Sequence, residues 1–172
     1  LVYYVYHLMD LVDTCESEEE KEKLKGIIEL LIPVAKGYVT DKAFEVCSTG
    51  IQVYGGYGFI EEYPQAQLLR DTKITQIYEG TNGIQAMDLL GRKLGMKKGK
   101  PLIDLIGMIQ DTINSAKECS SLKDSCLVFE NALNKYGETA MELGKTAMSE
   151  KIMTAFSFAH SFMEITGDIT VA

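Results

Sequence analysis

Apolar residues recur along this chain at spacings of three and four, which is the period of one face of an α-helix. The spacing predicts a buried helix from Leu1 to about Thr14 and a second, longer helical run from Leu24 to Tyr54. Between them, the charged segment "CESEEEKEK" is expected to form a turn or a solvated helix start. Pro33 lies inside the second run, so we expect a break or a kink there, or the start of another helix.

Turn-forming residues organise the remaining chain. The "GGYGF" segment at 55–59 should end the long helical run, because glycine adopts the left-handed conformation that often follows a helix C terminus. Pro64 suits a first helical turn, and a short helix from there to about Asp71 is expected. Thr81 or Asn82 can cap the next helix. Further helices are predicted over about 82–94, 101–118, 122–147 and 149–172, with Gly95 and a "GMKKGKP" linker after the first of them. The pattern predicts an all-α protein, most simply an antiparallel helical bundle.

Composition and charge narrow the possible partners. The chain has 172 residues, of which 46% are hydrophobic, enough for a domain with a sizeable core. Its net charge of −8 argues against nucleic acid and anionic lipid as partners, because both require a basic surface. The apolar opening "LVYYVYHLMDLV" is too short to cross a bilayer, since Asp10 and Asp13 interrupt it. We therefore expect neither a nucleic-acid partner nor a membrane span.

The thiols and imidazoles do not form a recognisable metal site. The chain has four cysteines without a CxxC pair, and only two histidines, His7 and His160, which we expect to be packed in the core or an interface. Scattered thiols are typical of a reducing compartment. We expect a bacterial cytoplasm, with the mitochondrial matrix left open. The chain begins without a methionine and ends in an apolar run, which leads us to expect a piece of a longer protein.

Two short stretches carry candidate chemistry, and each also has a purely structural interpretation. In "QVYGGYGF", the glycines would let a phosphate-bearing ligand approach the backbone, or they would simply end a helix. In "QIYEGTNGIQ", Glu79 is either a catalytic carboxylate among apolar residues or a glutamate that complements the dipole of a helix start.

Taken together, the two stretches resemble the C-terminal domain of the acyl-CoA dehydrogenases. The family pattern runs Gln-x-x-Gly-Gly-x-Gly-aromatic, then Glu-Tyr-Pro, Arg-Asp and Ile-Tyr-Glu-Gly-Thr. This sequence departs from it at Gln67, where many members have a basic residue, and at Gly83, where others carry a glutamine that touches FAD. The matching positions are Gln52, Gly55, Gly56, Gly58, Phe59, Glu62, Tyr63, Pro64, Arg70, Asp71, Ile77, Tyr78, Glu79, Gly80 and Thr81.

Within the family, the "YEGTNGIQAMDLLGRKL" segment and the helices after Lys100 are similar to the methylthiopropionyl-CoA dehydrogenase type, whose members carry a helical extension. The resemblance implies that residues 1–95 form the family's C-terminal helical domain and that residues 96–172 form the start of the extension. The family's N-terminal helical domain and middle β-domain would lie outside this sequence.

The resemblance also implies roles for individual residues. Glu79 would be the base that removes the α-proton of an acyl-CoA thioester while a hydride passes to FAD. Tyr78 and Gly80 would line the substrate pocket, and the amide of Glu79 would bind the thioester oxygen. The cofactor contacts would come from Thr81 to the subunit's own FAD, and from Gln52, Gly55 and Gly56 at a neighbouring subunit's FAD.

Partners follow from the same resemblance: an acyl-CoA substrate, electron-transfer flavoprotein as acceptor, and a homodimer or dimer of dimers. Arg70 and Asp71 would serve mainly in structural ion pairs. A basic cluster would either attract CoA phosphates or complement a helix C terminus; it consists of Arg92, Lys93, Lys97, Lys98 and Lys100. Two alternatives stay open, namely an acyl-CoA oxidase, which shares the base but admits oxygen to the flavin, and a non-catalytic helical assembly module.

Overall fold

The computed structural model describes all 172 residues, as helices and turns without any strand, so the predicted all-α class is confirmed. A π-helical turn follows α5, and short 3-10 turns precede α6 and α7. The helices are α1 (Val2–Thr14), α2 (Glu18–Tyr54), α3 (Gly56–Phe59), α4 (Gln65–Thr75), α5 (Asn82–Asp88), α6 (Lys100–Ala116), α7 (Lys123–Ala147), α8 (Ile152–Ser157) and α9 (Ala159–Val171).

The long helix α2 is the central element of the fold. It begins within the charged segment, where the Ser17 hydroxyl accepts a hydrogen bond from the Glu20 amide at 3.4 Å. The helix then continues through Pro33, so the alternatives of a break or of a second helix start at this residue are wrong. Leu31 and Val34 beside the proline are fully buried. Core packing around Pro33 therefore offsets the hydrogen bond that proline removes, a cost of roughly 3 kcal/mol in a helix interior.

One hydrophobic core joins the first and last parts of the chain. Its 24 buried residues come from α1, α2, α5 to α9 and the π-helical turn. Helix α2 packs against α1, α4, α5, α6 and α9, whereas its last turns project beyond this core, leaving Val46 and Val53 largely exposed. Helix α1 buries only Val5 and Leu8, so the prediction of a buried first helix is wrong. The helix packs on the core with one face and exposes the other.

The helices after residue 82 differ in detail from their predicted bounds. The predicted 82–94 helix is α-helical only to Asp88 and continues as a π-helical turn, in which the Leu94 amide donates to the Leu89 carbonyl at 2.8 Å. This turn faces Lys93 inward, where its ammonium lies 3.3 Å from Glu29. The predicted 149–172 helix is interrupted at Phe158, which separates α8 from α9.

Candidate functional site

Glu79 lies in the loop between α4 and α5, in a backbone conformation that side chains rarely adopt. Glu79 and Gly80 are consecutive residues with positive φ, 54° and 84°. For a residue with a side chain, the left-handed conformation costs roughly 1–2 kcal/mol, so surrounding contacts must hold it. Helix α5 starts only at Asn82, and the Thr81 hydroxyl caps it by accepting from the Ile84 amide at 3.4 Å. The alternative that Glu79 belongs to a helical first turn is therefore wrong.

Asn82 fastens this loop to α2. The Asn82 side chain is buried, and its amide nitrogen lies 3.1 Å from the Gly37 carbonyl, 2.9 Å from Thr40 Oγ1 and 2.7 Å from Asp41 Oδ1. Its oxygen accepts from Lys36 Nζ at 2.7 Å. A single side chain thus contacts two successive turns of α2, which fixes the point where the loop enters α5.

The carbonyls of both left-handed residues are also bonded. Lys36 Nζ donates to the Gly80 carbonyl at 2.6 Å, and Gln85 Nε2 donates to the Glu79 carbonyl at 3.1 Å. Desolvation lowers the pKa of Lys36, and the nearby charges of Asp41 and Glu79 oppose that effect. Hydrogen bonds from Lys36 and Gln85 to the loop backbone therefore hold the loop in addition to the side chain of Asn82.

The face of the loop that carries Glu79 points away from the chain. The Glu79 side chain is exposed, and Ile77 and Tyr78 beside it are 51% and 52% exposed. Within these 172 residues its apolar neighbours do not bury this carboxylate, because they are exposed themselves. The Glu79 amide makes no hydrogen bond to another backbone group. The Glu79 carboxylate and the Tyr78 ring are therefore both accessible from outside the chain.

Thr81 stands at the edge of this surface, beside the C-terminal helices. Thr81 and Gly83 line a cleft of about 350 Å³ whose opposite wall includes Phe156, Ser157 and His160. His160 and His7 are both exposed, so the core position expected as one alternative for them is wrong, and an interface position stays a prediction. The region after residue 96 thus contributes one side of the cleft next to Thr81.

The glycine-rich tip after α2 is open on its outer side. Gln52, Gly55 and Gly56 are exposed, and a methyl group at Gly55 or Gly56 would meet no atom within 4 Å. Gly55 has φ 60° and ψ −139°, so the helix ends at a glycine as predicted, although not in the left-handed helical conformation. Gly58 is different, because a methyl group there would lie 2.6 Å from the Ile51 carbonyl oxygen. The turn therefore requires glycine at position 58, whereas Gly55 and Gly56 leave room for an approaching molecule.

The two groups of candidate residues are separate within one chain. The loop of Glu79 is fastened to α2 as far as Asp41, and Gln52 follows eleven residues later. At 1.5 Å per residue, these two points of the helix lie about 16 Å apart.

Most of the candidate basic residues are committed to ion pairs within the chain. Arg70 binds Glu61 in a bidentate pair at 2.8 and 3.0 Å, whereas Asp71 is exposed and takes no part in it. In the basic cluster, Arg92 pairs with Asp88, Lys93 with Glu29, Lys97 with Glu22 and Lys100 with Asp104. These pairs favour the structural interpretation of the cluster over CoA phosphate binding.

The chain offers no cluster of three or more His, Cys, Asp or Glu side chains placed to hold a metal ion. None of its helices combines the length and the apolar character that a bilayer crossing requires.

The residues that hold the loop were not predicted from the sequence. Lys36, Asp41 and Gln85 carried no expectation, and Asn82 was considered only as a helix cap. The available signal was a group of polar residues on α2, since Lys36, Thr40 and Asp41 lie within a sector of about 140° around the helix axis.

Comparison with known proteins connects this geometry to a family. Residues 4–94 match the family described as "Acyl-CoA dehydrogenase, C-terminal domain". A butyryl-CoA dehydrogenase of Syntrophomonas wolfei is 44% identical over 117 residues, which are 68% of this chain and 19% of that protein. A 3-methylmercaptopropionyl-CoA dehydrogenase of Ruegeria pomeroyi is 46% identical over 95 residues, or 55% of this chain and 16% of that protein.

The similarity also continues past residue 94. A second butyryl-CoA dehydrogenase of Syntrophomonas wolfei is 38% identical over 138 residues, which are 80% of this chain and 22% of that protein. That length exceeds the segment 4–94, so the later helices also have counterparts among these relatives. The chain spans about a fifth of the length of the relatives it matches. From the family match over 4–94, the chain belongs to the acyl-CoA dehydrogenase family, of which it contains the C-terminal domain.

Proposed function

We propose that this chain is part of an FAD-dependent acyl-CoA dehydrogenase and supplies the base for α,β-dehydrogenation of an acyl-CoA thioester. The observation that carries the proposal is the presentation of Glu79. Its carboxylate projects from a loop whose backbone is bonded at Glu79, Gly80 and Asn82, on a surface that this chain leaves uncovered. A general base requires a fixed position and access to the proton that it removes, and this loop offers both.

The residues around Glu79 suit the chemistry of a thioester. Removal of the α-proton develops negative charge on the thioester oxygen, and a free amide such as that of Glu79 stabilises such charge. Gly80 is exposed next to the carboxylate and would line the substrate pocket, and the exposed Tyr78 ring offers an apolar wall for the acyl chain. FAD, when bound, accepts the hydride that leaves the β-carbon. The remaining domains of the enzyme would cover this face and exclude water from it.

The candidate FAD contacts fit a flat, phosphate-bearing group. The open space around Gly55 and Gly56 is what a pyrophosphate needs to approach a backbone, and Gln52 adds an exposed side-chain amide beside it. Thr81 would contact the flavin of its own subunit. The separation of about 16 Å along α2 supports a role for the glycine-rich tip at a second flavin, held by a neighbouring subunit. A homodimer or a dimer of dimers is therefore part of the proposal.

The proposal extends to the organisation and partners of the whole enzyme. Residues 1–95 would form the family's C-terminal domain and residues 96–172 a helical extension that packs on it. Electron-transfer flavoprotein would reoxidise the flavin. The relatives compared above are bacterial proteins, which supports a bacterial cytoplasmic enzyme.

The test is the Glu79→Gln variant of the full-length enzyme, assayed with a series of acyl-CoA thioesters and an artificial electron acceptor. We expect the variant to keep its flavin and its affinity for acyl-CoA but to lose turnover by roughly 10²–10⁴-fold, the usual contribution of a positioned base. Glu118→Gln is the matched control, because Glu118 is an exposed glutamate far along the chain, in the loop after α6. Wild-type kcat in Glu79→Gln would refute the assignment, and rapid reoxidation of the reduced wild-type flavin by oxygen would identify an oxidase instead.

A further inference from the structure

Asp41 is bonded to both ends of the loop that carries Glu79. Its Oδ1 atom accepts from Gln76 Nε2 at 2.6 Å, where the loop leaves α4, and from Asn82 Nδ2 at 2.7 Å, where α5 begins. The two ends are also bonded directly, because the Asn82 amide donates to the Gln76 carbonyl at 3.2 Å. One carboxylate oxygen on α2 therefore closes the segment 76–82 into a ring, with Glu79 at its midpoint.

We propose that Asp41 is a positioning residue for Glu79: it sets where the carboxylate of the base stands relative to the substrate. This inference rests on the proposed function above. Displacing a reacting group by about 1 Å can cost on the order of 10²-fold in rate, so a residue that fixes the loop can control turnover without touching the substrate.

The surroundings of Asp41 favour this role over simple stabilisation. Its second oxygen, Oδ2, is buried without a hydrogen-bond partner, and His160 Nε2 lies 3.8 Å from it. An under-satisfied buried carboxylate oxygen is unfavourable for stability. Asp41 Oδ1 accepts two short, charge-assisted hydrogen bonds, and both donors belong to the ends of the loop.

The packing of positive charge supports the same conclusion. Lys36, five residues earlier on α2, donates to Asn82 Oδ1 and to the Gly80 carbonyl, so its ammonium contacts the loop beside Asp41. Asn82 thus stands between a cation and an anion, which orients its amide with the oxygen toward Lys36 and the nitrogen toward Asp41. The importance of this arrangement can be tested by exchanging the amide and the carboxylate between residues 41 and 82.

The test uses the full-length enzyme and three variants. Asp41→Ala removes both bonds and should lower kcat by about 10–100-fold, with the KM for acyl-CoA little changed. Asn82→Asp alone places a second carboxylate against Asp41 and should lower kcat at least as much. Combining it with Asp41→Asn restores one amide and one carboxylate at this contact, and we expect the double variant to recover most of the lost kcat.

The matched control is Asp168→Ala. Asp168 on α9 also accepts a hydrogen bond from α2, from the Tyr38 hydroxyl at 2.8 Å, but it makes no contact with the loop. It should leave kcat unchanged. A second readout is independent of activity: hydrogen exchange at the Glu79 and Gly80 amides should accelerate in Asp41→Ala and not in Asp168→Ala.

The outcomes separate this inference from the proposed function. If Glu79→Gln keeps wild-type turnover, the proposed function itself is wrong. If Glu79→Gln is inactive while Asp41→Ala keeps its kcat and its loop protection, only the positioning role is overturned. If Asp41→Ala does not fold, the exchange of Asp41→Asn with Asn82→Asp decides: a double variant no more active than Asn82→Asp alone overturns the inference.

Discussion

Gly167 of α9 lies directly against the ring of Tyr38 in α2. A methyl group at residue 167 would overlap the ring carbons, so only a residue without a side chain allows the two helices to approach this closely. The Tyr38 hydroxyl also donates to Asp168 Oδ1 at 2.8 Å, one residue further along α9. Gly37, the neighbour of Tyr38, faces Met163 of α9 in the same way and offers its carbonyl to Asn82. The last helix is therefore seated beside the contact that holds the loop of Glu79.

Gly167→Val should weaken the seating of α9 on α2. The added branches collide with the Tyr38 ring, and overpacking of this kind typically costs about 1–3 kcal/mol in the free energy of unfolding. Denaturant unfolding followed by far-UV circular dichroism measures the loss. Gly107→Val is the control, because a side chain at Gly107 would enter open space and the same change of residue type should cost little. Equal stabilities of the two variants would show that α9 tolerates a wider separation from α2.

Gly56→Leu should weaken FAD binding and subunit association together while leaving the helices intact. No atom of the chain lies within 4 Å of the space that the new side chain would first enter, so the effect must arise from whatever occupies that space in the assembled enzyme. The positive φ belongs to Gly55, so backbone strain does not contribute at Gly56. Gly107→Leu adds the same side chain at an exposed site outside the tip. Sedimentation with simultaneous flavin absorbance follows both properties, and a wild-type enzyme that is monomeric with full flavin would rule out the shared site.

Tyr136 should make the chain sensitive to alkali. Burial raises the pKa of Tyr136 to about 12, although the hydrogen bond to Thr166 at 3.2 Å acts in the opposite direction. An unfolded tyrosine loses its proton near pH 10, so between about pH 10 and 12 the folded state binds one more proton than the unfolded state. The free energy of unfolding should therefore fall with rising pH over this window, by up to about 2–3 kcal/mol.

Denaturant unfolding of wild type and Tyr136→Phe at several pH values from 8 upwards tests this expectation. The phenylalanine variant should lose about 1 kcal/mol at pH 8 through the missing hydrogen bond but show a shallower decline above pH 10. Parallel declines in the two proteins would assign the alkaline effect to other groups.

Local periodicity was sufficient for the helices but not for their interruptions. The long helix and the later ones were predictable because their apolar faces recur with the helical period. Pro33 was misleading, since its cost is local whereas the packing of Leu31 and Val34 that offsets it depends on helices distant in sequence. The interruption at Phe158 and the π-helical turn after Asp88 carry no comparable sequence signal.

In the candidate site, too, the local motif was predictable and the contacts between distant parts of the chain were not. Glu79 was identifiable from a short motif, but Lys36 and Asp41, which hold its loop, lie some forty positions earlier in the chain, on α2. An asparagine at a helix start is ordinary as a cap, so nothing local indicates that Asn82 is buried and bonded to α2. Exposure was not predictable from this motif either, because an apolar residue such as Ile77 is typical of a buried segment but is 51% exposed here.

The unbroken course of α2 has a consequence for the angular relation between the two candidate contact regions. Asp41 and Gln52 are eleven residues apart on a continuous helix, which is close to three complete turns at 3.6 residues per turn. Both side chains therefore leave the helix axis in nearly the same direction. Inserting one residue between them would rotate Gln52 by about 100° relative to Asp41 and shift it by only about 1.5 Å. The rotation around the helix axis, more than the added length, thus determines whether α2 can present both side chains in the same direction. Natural insertions between Asp41 and Gln52 should therefore be confined to those that preserve whole helical turns.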